Sequence, residues 1–372
     1  MVLVMQEDQL VDSIDKLLLK ALKKRASDIH FEPYQQSYRI RMRIDGVLHT
    51  MLAPPLTLAK QIVARLKIMA KLNIAEQRLP QDGQLVIDRY AMRISTIPVM
   101  NGEKVVLRLL DNHDSPRSIH DLGLTDRDLT RFQQILNYPQ GLILVTGPTG
   151  SGKTVTLYSG LKTLNLPQCN ICSVEDPIEI PVEGINQTSV NMKIGLTFAT
   201  ILRALLRQDP DVMMIGEIRD HETAEIAIQA AQTGHLVLST LHTNSSIEAI
   251  TRLNQMGIER YLISACVKLI IAQRLVRKLC CHCKVVASEL IRLGQKPIPH
   301  YIAIGCEDCV GGYSGRIGLY EFLTITPEIQ QQILNQQVIT PSNQISLRQS
   351  AEQLIQQGIT TLAEINRVLG ET

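Results

Sequence analysis

One octet restricts what these 372 residues can fold into more than any other stretch: Gly147-Pro148-Thr149-Gly150-Ser151-Gly152-Lys153-Thr154. It has the form G-x-x-x-x-G-K-[ST], follows the apolar run Gly141–Thr146, and precedes a helical-period segment that begins Thr156-Leu157-Tyr158. Glycines let backbone N–H groups curl around phosphate oxygens, and the start of a helix adds positive potential. Lys153 can reach the β- and γ-phosphates, and the Thr154 hydroxyl can ligate Mg²⁺. A glycine-rich turn without a ligand could share the eight letters, but the strand before it and the helix after it are what a phosphate cradle requires.

Further apolar runs at Ile171–Val174, Val212–Ile215 and Leu236–Leu241 are separated by stretches of helical period, which predicts an α/β domain around a mostly parallel sheet. A phosphate loop of this kind needs a carboxylate at a neighbouring strand end to complete the magnesium shell. The segment Val212-Met213-Met214-Ile215-Gly216-Glu217 supplies one, so Thr154 and Glu217 are the expected magnesium ligands. A second acidic cluster, Glu175-Asp176-Pro177-Ile178-Glu179, leaves the run Ile171–Val174 on the same edge, and one of its carboxylates could orient an attacking water. His235 and His242 flank the run Leu236–Leu241. Histidines so placed are more often structural hydrogen-bonders than catalysts, and spacing alone does not lift them above that.

Upstream, Asp8–Arg25 carries Leu10, Ile14, Leu17, Leu18, Ala21 and Leu22 at helical spacing. Residues 38–48 alternate and turn at Asp45-Gly46 as a hairpin, 58–72 have helical period, and 84–110 return to alternation. Residues 1–110 therefore form a predicted small α+β domain. The polar stretch 111–120 is the expected linker, 121–275 the α/β core, 276–320 a cysteine-bearing insert and 321–372 a Gln-rich helical end.

Four of the eight cysteines form two C-x-x-C pairs, Cys280/Cys283 and Cys306/Cys309, with 22 residues between them. Two thiolate pairs on tight knuckles match tetrahedral Zn²⁺ in a closed structural site, although Cys281 and His282 leave open which donors bind. Cys169, Cys172 and Cys266 read as small core residues.

Composition sets the outer limits. Lys plus Arg total 38 against 36 for Asp plus Glu, a net +2, and aromatics are 3% with no Trp. That balance argues against nucleic acid as partner and against a base-stacking or carbohydrate-binding surface. No run approaches the ~18 apolar residues of a membrane span, and acidic residues enter too early for a signal peptide, so a cytoplasmic location is expected.

Taken together, the chain resembles the secretion and pilus-assembly ATPases of the type II secretion and type IV pilus systems, the GspE/PilB family. The matching segments are RASDIHFEPY (25–34), RIDGVL (43–48), RLPQDGQ (78–84), RISTIPVMNGEKVVLRLL (93–110), GLILVTGPTGSGKT (141–154), SVEDPIE (173–179), LRQDPDVMMIGEIRD (206–220), TGHLVLSTLHTN (233–244) and GYSGRIGLYE (312–321). The resemblance implies a RecA-like P-loop NTPase core and a homo-hexameric motor that hydrolyses ATP with Mg²⁺ and carries structural Zn²⁺. Its small domain is expected to rotate as nucleotide enters and leaves.

By the same resemblance, Lys153 and Thr154 hold phosphate and Mg²⁺, Glu217 is the Walker B carboxylate, and Glu179 is the catalytic glutamate. His235 and His242 match a histidine box with a γ-phosphate-sensing or coupling role, and Arg93 and Arg108 match arginines that approach the γ-phosphate. The implied partners are an inner-membrane platform protein and membrane-associated recruitment proteins, which would hold the motor peripherally at the inner membrane. The residues do not choose between secretion and pilus assembly. Alternatives are a non-hydrolysing ATP-binding scaffold, which the intact site residues oppose, and a retraction ATPase, which the tetracysteine insert opposes. Three departures from the pattern stand out: the α+β domain begins almost at residue 1 where relatives carry a further N-terminal domain, Gln84 replaces a usual Arg, and Cys281 a usual Pro.

Overall fold

The computed structural model describes residues 10–88, 90–109, 117–293, 296–342 and 344–371. The chain divides into two compact units, residues 1–113 and 114–372. Most of the expected linker lies outside the described residues.

The first unit contains α1 (Leu10–Lys23), β1 (Ala26–Pro33), β2 (Tyr38–Ile44), β3 (Val47–Leu52), α2 (Ala59–Met69), β4 (Gln81–Ile87), β5 (Tyr90–Val99) and β6 (Gly102–Leu109). Its strands form one antiparallel sheet in the order β3-β2-β1-β6-β5-β4. The β2–β3 hairpin turns at Asp45-Gly46, whose φ angles of 49° and 85° suit the primed turn that the twist of a hairpin favours. Alternation along β2 buries Tyr38, Ile40, Met42 and Ile44 and turns Arg39, Arg41 and Arg43 outward. Those arginines join an ion-pair lattice on the open face. Arg41 grips Glu32 through Nε at 2.8 Å and Nη2 at 2.9 Å, while Arg108 Nε reaches Asp28 at 3.0 Å.

The second unit runs through α3 (Asp126–Leu136), β7 (Gly141–Thr146), α4 (Lys153–Leu164), β8 (Ile171–Glu175), β9 (Ile185–Ser189), α5 (Phe198–Leu205), β10 (Val212–Ile215) and α6 (His221–Gln232). It continues with β11 (Leu236–Leu241), α7 (Ser246–Gln255), α8 (Arg260–Cys266) and β12 (Val267–Leu279), the short strands β13 (Val285–Val286), β14 (Ile291–Leu293), β15 (Lys296–Ile298) and β16 (Tyr301–Ile302), then β17 (Tyr313–Thr324), α9 (Pro327–Leu334), α10 (Leu347–Gln356) and α11 (Leu362–Leu369). The main sheet has the order β17-β12-β7-β11-β10-β8-β9, parallel except for β17.

Every residue of β7, β10 and β11 is buried, because helices cover both faces. Leu142 and Leu144 join the core beneath α5 to α9, while Ile143 and Val145 join the opposite one beneath α3 and α4. The continuous apolar run Leu142–Val145, which lacks any alternation, thus has a physical cause.

The main sheet passes through both expected boundaries of the insert. β12 continues past residue 275 to Leu279, and β17 begins at Tyr313, well before 320. Charged and amide residues at Gln273, Arg274 and Arg277 interrupt the apolar pattern of β12, yet each has a partner that lets it sit in a sheet. The cysteine segment is accordingly the connection between these two strands, and α10 and α11 pack against their outer ends through Leu347, Ala351, Ile355 and Ile365.

Candidate functional site

In a parallel sheet, ligands gather beyond the carboxyl ends of the strands. Four of the predicted groups leave strands at that edge: the glycine loop after β7, Glu217 after β10, the acidic cluster after β8 and His242 after β11.

The glycine loop is packed too tightly for a side chain at Gly147 and Gly152. A Cβ on Gly147, whose φ is +152°, would lie 2.4 Å from the Gln273 carbonyl oxygen and 2.7 Å from Ser151 Oγ; one on Gly152 would lie 2.9 Å from Gln273 Nε2. Helix α4 starts directly from this loop at Lys153, with Gly152 in the left-handed conformation at its N-cap. Lys153 is buried, and its ammonium donates to the carbonyls of Gly147 at 2.8 Å and Pro148 at 3.1 Å. Burial pushes its pKa down to about 8; the positive charge of Arg274 acts the same way and Glu217 opposes both. Ser151 Oγ is buried without a hydrogen-bond partner, and Thr154 is exposed in the first turn of the helix. A bare cradle, an orphaned hydroxyl, an ammonium and a free helix start fit the phosphates of a nucleotide.

Glu217 is held at its place by β11: Thr240 Oγ1 donates to the Gly216 carbonyl at 2.7 Å, and the Ile218 amide donates to the Thr240 carbonyl at 3.0 Å. Its carboxylate meets Arg219 on one oxygen and His242 Nε2 at 3.4 Å on the other. The bond to Glu217 raises the pKa of Arg219, which remains a cation. With Lys153 sensing its charge, Glu217 is central to the cluster and fits a magnesium shell shared with Thr154.

The acidic cluster after β8 divides into two kinds of carboxylate. Glu175 is buried and accepts from Ser173 Oγ at 2.6 Å, from the Tyr158 hydroxyl and from Gln187 Nε2 at 3.2 Å. Asp176 and Glu179 are exposed. Glu175 thus has a structural set of partners, whereas Glu179 is open to solvent.

The two histidines part company. His235 stands before β11 and His242 after it, about 20 Å apart along the strand. His235 Nδ1 lies 3.0 Å from the Ala230 carbonyl and 3.3 Å from Thr233 Oγ1, at the end of α6. Of the two histidines matched to a γ-phosphate-sensing or coupling role, only His242 shares the edge of the glycine loop within this unit, because a six-residue strand separates them. In the first unit, Arg93 and Arg108 are direct cross-strand partners on β5 and β6, both exposed. Arg108 is paired with Asp28.

Sequence reasoning missed Arg274 and Gln273, which lie on β12 against the glycine loop. Gln273 Oε1 accepts from Thr156 of α4 at 2.7 Å. Their only signal was two buried-strand neighbours of unlike polarity, which is too weak to separate from a loop.

The four predicted cysteines come together. Their sulfurs all lie within 4.8 Å of one another, with Cys280–Cys306 and Cys283–Cys309 at 3.8 Å and Cys306–Cys309 at 3.7 Å. Four thiolates about 2.3 Å from a central zinc would stand about 3.8 Å apart in a tetrahedron, so this donor set fits the ion. Cys281 is exposed outside the cluster, and His282 instead bonds Asp308 through Nδ1 at 2.9 Å. Cys172 and Cys266 are buried, and Cys169 is partly so.

Comparison with known proteins shows the family to which the chain belongs. A family model described as "Type II/IV secretion system protein" matches residues 5–367. The protein transport protein HofB homolog of Escherichia coli K12 is 52% identical over 374 residues, which span 96% of this chain and 81% of that protein. The type IV pilus assembly ATPase PilB of Acinetobacter baylyi is 47% identical across 98% of this chain and 67% of its own length. The type II secretion system ATPase E of Vibrio cholerae is 46% identical across 98% and 76%. Among solved structures, the pilus retraction motor PilT with bound ADP superposes with a TM-score of 0.60 at 28% identity, covering 94% of this chain and 95% of that one. The ATPase DotB of Yersinia pseudotuberculosis, at 20% identity, shares the fold with a TM-score of 0.69, covering 99% and 94%.

Proposed function

The chain belongs to the type II/IV secretion system protein family, and from that premise we propose that it is a homo-hexameric motor that hydrolyses ATP to power type II protein secretion or type IV pilus assembly. The observation that carries this reading is the convergence of Lys153, Glu217 and His242 at one sheet edge, with Glu179 leaving the same edge.

The glycine loop and Lys153 bind the β- and γ-phosphates, and Thr154 with Glu217 holds Mg²⁺. Glu179 orients the attacking water, and His242 reports the γ-phosphate to Glu217. Lys153 offsets the charge that develops on the transferring group, and Mg²⁺ held by Thr154 and Glu217 would supply further positive charge there when bound. Within the assembled ring, Arg93 and Arg108 add guanidinium charge to the same group, a task that suits their planar forks. Zinc, held by Cys280, Cys283, Cys306 and Cys309, is structural. No helix among the described residues is long and apolar enough to cross a membrane. The partners in this reading are a membrane-embedded platform protein and recruitment proteins that place the motor at the inner membrane.

The test is ATP turnover per protomer with Mg²⁺ across a protein-concentration series, with Lys153→Ala beside it. Turnover that rises with concentration and vanishes in the variant is expected. Turnover equal to that of the variant at every concentration would overturn the reading in favour of a non-hydrolysing scaffold.

A further inference from the structure

Arg274 is 8% exposed, and among the described residues its hydrogen bonds end on uncharged oxygens. Nη1 donates to the Gln273 carbonyl at 3.0 Å, and Nη2 donates to the Asn244 carbonyl at 3.0 Å and to Asn244 Oδ1 at 3.2 Å. Burying a guanidinium without a directly bonded carboxylate is costly: burial lowers its pKa, and the charges of Glu248 and Glu321 oppose this only in part.

On one side Arg274 lies behind the glycine loop, bonded to the carbonyl of its strand neighbour Gln273. The Gln273 carbonyl that accepts from Nη1 is the atom 2.4 Å from a Cβ on Gly147, and Nη1 itself is 3.2 Å from that point. On the other side it holds the turn 242–245, which carries His242 to Glu217. That turn has a second anchor: the Thr243 amide donates to Thr146 Oγ1 at 2.9 Å, and the two threonine hydroxyls lie 2.7 Å apart. Thr146 is the last residue of β7. The turn is therefore fixed at Thr243 to the strand that enters the glycine loop, and at Asn244 to the arginine that braces the loop from behind.

We infer that Arg274 is a positioning residue for hydrolysis, a strut that keeps the His242 turn in register with the phosphate loop. It acts through His242 and touches neither the reacting atoms nor Glu217. A lysine cannot reproduce it, because one ammonium does not span acceptors on both sides as a planar fork does.

The inference rests on the ATPase reading above, and its test separates the two. Arg274→Gln, Arg274→Lys, His242→Ala and the double variant Arg274→Gln/His242→Ala are compared in the full chain for ATP turnover and for amide exchange at residues 242–245. Arg274→Gln should lower kcat about 100-fold, the scale of an ångström-sized misplacement, and leave KM nearly unchanged. The double variant should be no slower than His242→Ala, since both changes remove the same contribution. Exchange at 242–245 should quicken while β7 stays protected. Losses that multiply in the double variant, a raised KM with kcat intact, or unchanged exchange would each overturn the inference. If the Gln variant melts before assay, Arg274→Lys, which keeps the charge, carries the same comparison. If the unaltered protein does not turn over ATP, the motor reading fails, and amide exchange still decides whether Arg274 holds the turn.

Discussion

The ammonium of Lys153 donates to the carbonyl of Gly147 at 2.8 Å, so the lysine of the phosphate loop is bonded to the loop's first residue. Burial also holds its pKa at about 8, below the ordinary 10.5. Below pH 8 the group is already protonated; between 8 and 10.5 it is largely neutral until phosphate oxygens arrive and restore the charge. ATP binding near pH 9 should therefore take up close to one proton, and affinity should fall as pH rises through 8 while staying level below it. Titration calorimetry in two buffers of different ionisation heat reads the uptake directly. Equal heats in both buffers at pH 9 would show that Lys153 is charged before nucleotide binds.

Gly147 and Gly150 share the loop but not the reason for being glycine. A methyl at Gly147 meets the Gln273 carbonyl at 2.4 Å, whereas one at Gly150 meets nothing within 4 Å and faces only its φ of +79°. Gly150→Ala should cost about 1 to 2 kcal/mol of left-handed strain and keep measurable nucleotide binding. Gly147→Ala should abolish binding, since β12 cannot retreat from the sheet. A fluorescent ATP analogue and thermal melts distinguish the two; equal loss in both variants would contradict the packing argument.

How far the sequence led depended on whether a signal was local. The runs Gly141–Thr146, Val212–Ile215 and Leu236–Leu241 are apolar throughout because both faces are covered, and that pattern is visible without partners. β12 hid because Gln273, Arg274 and Arg277 are satisfied by Thr156, Asn244 and Glu364, residues 30 to 117 positions away that no window contains. Two C-x-x-C pairs announced their cluster through donor type and spacing. The acidic box named its carboxylates without ranking them, since only tertiary contacts reveal that Glu175 is enclosed. The placement of the two histidines is legible in the sequence, because six strand residues between His235 and His242 put them at opposite ends of β11.

Glu364 ties the C-terminal helices to β12. Its side chain is fully buried between Arg277 at 2.7 Å and Arg367 at 2.6 Å. Burial opposes its ionisation, but the bonds from Arg367 and Arg277 outweigh this and hold its pKa at about 2. A carboxyl depressed in the fold stabilises above its unfolded pKa, near 4.5, and that stabilisation is lost as pH falls toward 2. Glu364→Gln should cost about 3 kcal/mol at neutral pH and flatten the acid limb of the stability curve over that window. Urea unfolding at pH 7 and pH 3 checks it; an unchanged difference between the two pH values would exclude Glu364 as the titrating group.

The cysteine cluster closes the connection between β12 and β17, adjoining Leu279 and Tyr313, which pair across the two strands. One zinc per chain is expected by metal analysis, and a Cys306→Ser/Cys309→Ser variant should lose it. Without the ion the outer ends of both strands should exchange amides faster, because the four sulfurs would no longer share one ligand and the connection would be closed by weaker links such as the exposed His282–Asp308 pair. Strands β7, β11, β10 and β8 should keep their protection, their cores being formed elsewhere. Retained zinc in the double variant would mean that Cys281 or His282 serves as a donor.

The last prediction separates two glutamates four residues apart. Glu175 accepts hydrogen bonds from Ser173, Tyr158 and Gln187 inside the fold, all of them donors. Gln at this position would set an amide N–H against one donor and leave it unsatisfied, a cost of about 1 to 3 kcal/mol. The melting temperature should therefore fall, with activity falling alongside it. Glu179 is exposed and contributes no such enclosed network, so Glu179→Gln should leave stability within about 0.5 kcal/mol and ATP binding intact, while turnover falls by about 100-fold or more, as for loss of a group that positions the attacking nucleophile. The two variants thus exchange signatures: stability for Glu175, turnover for Glu179. If Glu179→Gln retained normal turnover while Glu175→Gln lost it without a change in melting, the catalytic carboxylate would be the buried one, and the Tyr158 and Ser173 hydroxyls would have to be read as its orienting partners.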